Sequence, residues 1–123
     1  MKQFDLALAD FTSALQGDPK FGSVYLNRGH TYTTMKQYAL VLSYTYCFSS
    51  YQALADYDKA IEIEPTNEVA YNNRAFNYNE MKEHELALND SRKAISIAPS
   101  YANAYVHAAT ALLALGKLLL SKS

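Results

Sequence analysis

Between Glu68 and Pro99 the apolar positions recur with a helical period. Tyr71, Ala75 and Tyr78 fall at three- and four-residue steps and so share one face of a helix. Leu86, Ala87, Ala94, Ile95 and Ile97 supply most of the apolar positions of a second helix, and Pro99 stops it, having no N–H to donate. Thr66 or Asn67 suits the cap of the first. The same pattern lies on both sides. It predicts helices over 1–16, from Gly22 to about Met35, over Ala53–Ile63 and from about Ala102 to Leu115. Asp18-Pro19 and Glu64-Pro65 are stops, Lys36-Gln37 a turn, Ser100 a cap and Gly116 a C-terminal cap. Six helices are expected, and Lys117–Ser123 reads as the start of a further one.

The helices repeat at a fixed spacing. Met1-Lys2-Gln3-Phe4 matches Met35-Lys36-Gln37-Tyr38 at a step of 34, and Met81-Lys82-Glu83-His84 matches again after 46. The prolines agree: Pro19 to Pro65 is 46 residues, and Pro65 to Pro99 is 34. The period is therefore 34, with twelve extra residues in one unit. Removing Val41–Gln52 leaves MKQYALALADYDKAI, which matches MKQFDLALADFTSAL at the N-terminus. The insert is Val41–Gln52.

A 34-residue helix–turn–helix period resembles the tetratricopeptide repeat family. That family places a large aromatic, a Leu-Gly or similar pair and a tyrosine on the first helix of each unit. Here these are Tyr25, Arg28-Gly29 and Tyr32, then Tyr71, Arg74-Ala75 and Tyr78, then Tyr105, Ala108-Ala109 and Leu112. Its second helix carries alanine, an aromatic, alanine and proline. Ala7, Phe11, Ala14 and Pro19 match, as do Ala53, Tyr57, Ala60 and Pro65; in Ala87, Ser91, Ala94 and Pro99 a serine replaces the aromatic. The resemblance implies an all-α superhelix of about three helix pairs, truncated at both ends, in one domain. Its parts are a half repeat at 1–21, a repeat with the insert 41–52 at 22–67, a complete repeat at 68–101 and a partial one at 102–123. Small residues sit where helices approach closely, and each pair covers its neighbour's apolar face. Leu112, Leu113, Leu115 and Leu118 have no successor to cover them, so self-association through the terminal helices is expected.

The insert VLSYTYCFSSYQ has no charge, proline or glycine, and its aromatic and β-branched residues favour strand. It reads either as an extra loop or as a helix extension. As continuous helix, twelve residues rotate the following face by roughly 120°. A break is therefore expected, at Ser49-Ser50. Its ends also fit a retained in-frame intron, since valine codons begin GT and one glutamine codon ends AG.

Charge narrows the function classes. With 11 basic and 12 acidic side chains the net charge is −1, which offers no surface for nucleic acid or anionic membrane. No signal sequence or 18-residue apolar run is present, and one cysteine, Cys47, forms no internal disulfide; a soluble, cytoplasmic protein is expected. His30, His84 and His107 lie on different units without metal-ligand spacing; His84 reads as a substituted aromatic position. Asp10, Asp56 and Asp90 recur with the period, which points to a solvated face. No phosphate loop or nucleophile motif occurs, so neither enzyme, metal nor cofactor is expected.

The resemblance puts the first-type helices on a concave surface that binds a peptide or helix of a partner protein. By register Asn27, His30 and Thr34 face it, then Asn72, Asn73, Phe76 and Glu80, then Asn103, His107 and Thr110. Asparagine offers donors and acceptors to an extended backbone. One subclass clamps the acidic C-terminal peptide of heat-shock chaperones with Lys and Asn, then Asn, then Lys and Arg on three successive first-type helices. Asn73 fits the middle; Leu26 and His30 stand in the first pair of positions and Asn103 and His107 in the last, so one of five matches. A co-chaperone-like reader of such tails and a regulatory arm of a larger enzyme are the alternatives.

Overall fold

The computed structural model describes residues 2–39 and 43–122, with the side chains of 3–39 and 43–116. Six helices and no strand occur among the described residues: α1 (Lys2–Gly17), α2 (Gly22–Gln37), α3 (Tyr44–Ile63), α4 (Glu68–Glu80), α5 (His84–Ile97) and α6 (Ala102–Lys122). The chain divides into two compact units, Met1–Pro65 and Thr66–Ser123, parted at the proline that ends the interrupted repeat. No described helix is long and apolar enough to cross a membrane.

In the first unit α2 packs on α1 and α3. Tyr57 of α3 is fully buried over Gly29 of α2, where an added Cβ would lie 2.7 Å from the tyrosine ring. Glycine is required there because the ring fills the space a methyl needs. The Tyr57 hydroxyl lies 2.8 Å from Thr33 Oγ1, which donates to the Gly29 carbonyl. Burial pushes that phenol up to about 12.

In the second unit α4 packs on α5, and α6 covers both. Its core joins Ala75, Ala87, Leu88 and Ala111, with Tyr78, Ala108 and Leu115 packed against them. Leu115 is thus covered, against expectation, because α6 turns its last described leucine inward; Leu112 and Leu113 are exposed. The Leu118 side chain lies outside the described residues.

Each unit is clasped by an arginine–aspartate pair. Arg28 Nε and Nη2 donate to Asp56 at 2.9 and 2.8 Å, and Arg74 makes the same fork to Asp90 at 2.7 and 2.8 Å. The aspartates are only 4% and 6% exposed, so the solvated face expected for them is corrected: a recurring acid here answers a recurring arginine. Asp10 is exposed, as expected.

The insert is helical where described; Val41 and Leu42 lie outside the described residues. Ser43 caps α3, its Oγ accepting from the Tyr46 amide at 3.2 Å. Strand propensity loses to packing, and the break expected at Ser49-Ser50 is absent. Both serines are buried inside α3, and Ser50 Oγ donates back to the Tyr46 carbonyl at 3.0 Å. Alignment on shared alanines shows where the added length goes. α3 begins nine residues before Ala53, whereas α5 begins three before Ala87. α2 has 16 residues against 13 in α4. The connection is six residues, 38–43, against three, 81–83. Six of the twelve residues therefore lengthen α3, three lengthen α2 and three fall between the two helices. The rotation expected of a continuous helix never arises, because the added turns precede the apolar stripe of α3 and a connection separates them from α2.

Two further boundaries differ from expectation. α6 begins at Ala102, which puts Tyr101 rather than Ser100 at the cap position. Gly116 has no positive φ and lies inside α6, which absorbs the helix expected to start at Lys117. Asn67 does cap α4, its Oδ1 accepting from Val69 at 3.0 Å and Ala70 at 3.3 Å.

Candidate functional site

α4 leaves its partner at a tight turn in which Lys82 adopts a left-handed φ of 64°. The Glu83 amide reaches back to the Tyr78 carbonyl and the Lys82 amide to that of Asn79, at 2.8 and 3.0 Å. This pairing closes the helix end and brings His84, first residue of α5, beside the end of α4. α6 comes alongside, and an open cleft of about 460 Å³ forms. Its walls are Phe76, Asn79 and Glu80 of α4, Lys82 and His84, and Val106, His107 and Thr110 of α6.

Phe76 and His107 meet edge-to-face there with centroids 5.5 Å apart. Burial lowers the pKa of His107 and so favours its neutral ring. Asn79 bridges the walls: its Nδ2 donates to the His107 carbonyl at 3.1 Å, and its Oδ1 lies 2.9 Å from His84 Nδ1. The lining thus combines an apolar floor, two imidazoles, one carboxylate and one ammonium. Among the described residues no group of three His, Cys, Asp or Glu is placed to hold a metal.

The residues expected on the concave surface fall in several places. Asn27 and His30 are exposed on α2, in the first unit. In the second, Phe76, Glu80, His107 and Thr110 line the cleft. Asn72 is buried, with Nδ2 3.4 Å from Asn73 Oδ1 and its own Oδ1 unpartnered. Asn73 is partly exposed, and Asn103 is exposed near the start of α6. Sequence reasoning missed Asn79, Lys82, His84 and Val106. His84 carried a signal, as a histidine where other copies have Phe4 and Tyr38. Asn79 carried none, since its role depends on a carbonyl of another helix.

Residues 69–101 match the family described as tetratricopeptide repeat. A search of curated proteins found no match. Among solved structures the chain is similar to the Arabidopsis OM64 TPR domain, at 23% identity and a TM-score of 0.76, over 89% of this chain and 81% of that one. It is similar to the first TPR of Spaghetti (RPAP3) bound to the HSP90 peptide SRMEEVD, at 20% and 0.79, over 94% and 82%. The second TPR domain of human RPAP3, in complex with the HSP70 peptide SGPTIEEVD, matches at 14% and 0.75, over 89% and 82%. The chain carries a tetratricopeptide repeat at 69–101, and its all-α fold is that of the tetratricopeptide-repeat solenoid domains.

Proposed function

We propose that the chain is a protein-interaction module that docks a peptide or helix segment of a partner protein against its first-type helices, with no bond chemistry. The observation that carries this reading is the α4–α6 cleft, where Phe76 and His107 meet in an open, part-apolar hollow. By register Asn73 and Asn103 of the second unit flank the cleft on the same first-type helices, and Asn27 and His30 hold the equivalent exposed positions on α2 of the first. Peptides selected from a display library against the whole chain test it. Phe76→Ala is expected to weaken a selected peptide at least tenfold, about 1.4 kcal/mol, while Lys93→Ala on the exposed side of α5 leaves it unchanged. Equal binding by both variants would show that docking lies elsewhere.

A second reading is a receptor for acidic chaperone tails. The similar RPAP3 domains were solved with such peptides, which favours it; the single match among five clamp positions does not. Titration with SRMEEVD decides: salt-sensitive micromolar binding supports the tail reading, and its absence leaves the general one.

A further inference from the structure

The amide of Asn79 has both ends engaged, which settles its orientation. The His107 carbonyl only accepts, so Asn79 turns its NH₂ to it. Its oxygen then faces His84 Nδ1 and can only accept, so Nδ1 carries the proton. In the neutral ring Nε2 is left as an acceptor, with no partner among the described residues. Glu80, exposed on the same cleft, adds two acceptor oxygens. Phe76 and Val106 supply apolar surface between the walls. Of the other groups that face His84, His107 leans neutral and Lys82 is an exposed cation at the turn, with a flexible stem.

Resting on the docking role of this cleft, we propose that His84 sets its specificity: it offers Nε2 to a cleft that the Glu80 carboxylate also lines, and the cleft takes a peptide segment bearing an arginine. Arginine matches both halves of the lining. Its methylene stem covers Phe76 and Val106, its planar head stacks on a phenyl ring, and its five donors answer the acceptors. A carboxylate in the same place would be repelled by Glu80 and, with the neutral ring, meet an Nε2 that has no proton to give, leaving only the flexible Lys82 at the turn to answer it.

Two measurements on the whole chain test this. Nitrogen NMR of ¹⁵N-histidine protein at pH 7.5 should show His84 as the Nδ1–H tautomer, and Asn79→Ala should shift it toward Nε2–H. An Nε2–H ring in the unaltered protein overturns the assignment. In titrations read at the Phe76, His84 and Thr110 amides, N-acetyl-arginine methylamide should bind at least fivefold tighter than the norleucine and glutamate analogues. Glu80→Gln, at an exposed position, and His84→Phe should each abolish that margin. If norleucine binds the cleft as well as arginine does, the docking site stands and the arginine preference falls. If no probe moves Phe76, both fall.

Discussion

Gly29 and Tyr57 show how one residue's size dictates another's across a helix pair. Their register equivalents in the next repeat are Ala75 and Ser91. Where the second-type helix brings a ring, the first-type helix has no Cβ; where it brings a hydroxymethyl, alanine is tolerated. Gly29→Ala gains about 1 kcal/mol of helix propensity but forces a methyl to within 2.7 Å of the ring. Overpacking costs about 1–3 kcal/mol, so a net loss of up to about 2 kcal/mol is expected. In a Tyr57→Ser background the same substitution should cost nothing or stabilise. Urea denaturation of the four proteins in this cycle measures the coupling, and additive effects would show that the two positions do not compensate. His107 makes a separate prediction, of pH dependence. Burial depresses its folded pKa below the unfolded value, so the unfolded chain binds the extra proton. Its stabilisation is complete above about pH 6.5 and is lost as pH falls through the depressed value. Between pH 7.5 and 5.5 the urea midpoint should fall, and His107→Gln should flatten that fall; an unchanged slope would remove the histidine from the effect.

At the scale of elements, α1 and the bodies of α2, α4 and α5 were legible from apolar period, proline stops and the Asn67 cap. These are local signals, and packing agrees with them. α3 and α6 were misjudged in part because their local chemistry is outvoted. Tyrosine, phenylalanine, threonine and valine in the insert favour strand, but a helix already nucleated at Ala53–Ile63 adds turns cheaply once Ser43 caps it. Gly116 signals a cap only when the chain turns there, and α6 does not. In the site, Phe76 and His107 followed from register, whereas the Asn79 relay and the Arg–Asp clasps are tertiary pairings that no single repeat announces. The insert also recasts a lysine. Lys82 is exposed at its turn, while its equivalent Lys36 is 2% exposed, with Nζ 5.5 Å from the ring of Tyr46, an inserted residue. Yet the clasp survives the insertion: Arg28 and Asp56 are 28 residues apart, twelve more than Arg74 and Asp90. Deleting 41–52 should therefore leave a cooperative fold with its Arg28–Asp56 pair intact and stability within about 2 kcal/mol, the losses being the Lys36–Tyr46 and Tyr32–Phe48 contacts and the burial of Ser49 and Ser50. Urea unfolding followed at 222 nm checks it. A chain that no longer unfolds cooperatively would make the added turns part of the first unit's core.

At the scale of the whole molecule, the balance of charge and exposed apolar surface bears on self-association. The net charge is −1 and the isoelectric point about 6.3, so long-range repulsion between copies is weak near neutral pH. Against this, Leu113 is 67% exposed, and Leu112 beside it on α6 is also open. Two adjacent leucines on one helix favour burial against an apolar surface, each contributing about 1–2 kcal/mol once covered. A second copy of the chain brings the same leucines, and a two-fold axis pairs like with like. Concentration-dependent dimerisation is therefore expected, strongest near pH 6.3 and weaker at pH 8.5 as negative charge accumulates. Leu112→Glu with Leu113→Glu should yield a monomer with unchanged helix content, since both side chains lie outside the core. Light scattering over a tenfold to hundredfold concentration range distinguishes the cases. A constant monomer mass in the unaltered protein, or a dimer that persists in the double variant, would rule out these leucines as the interface.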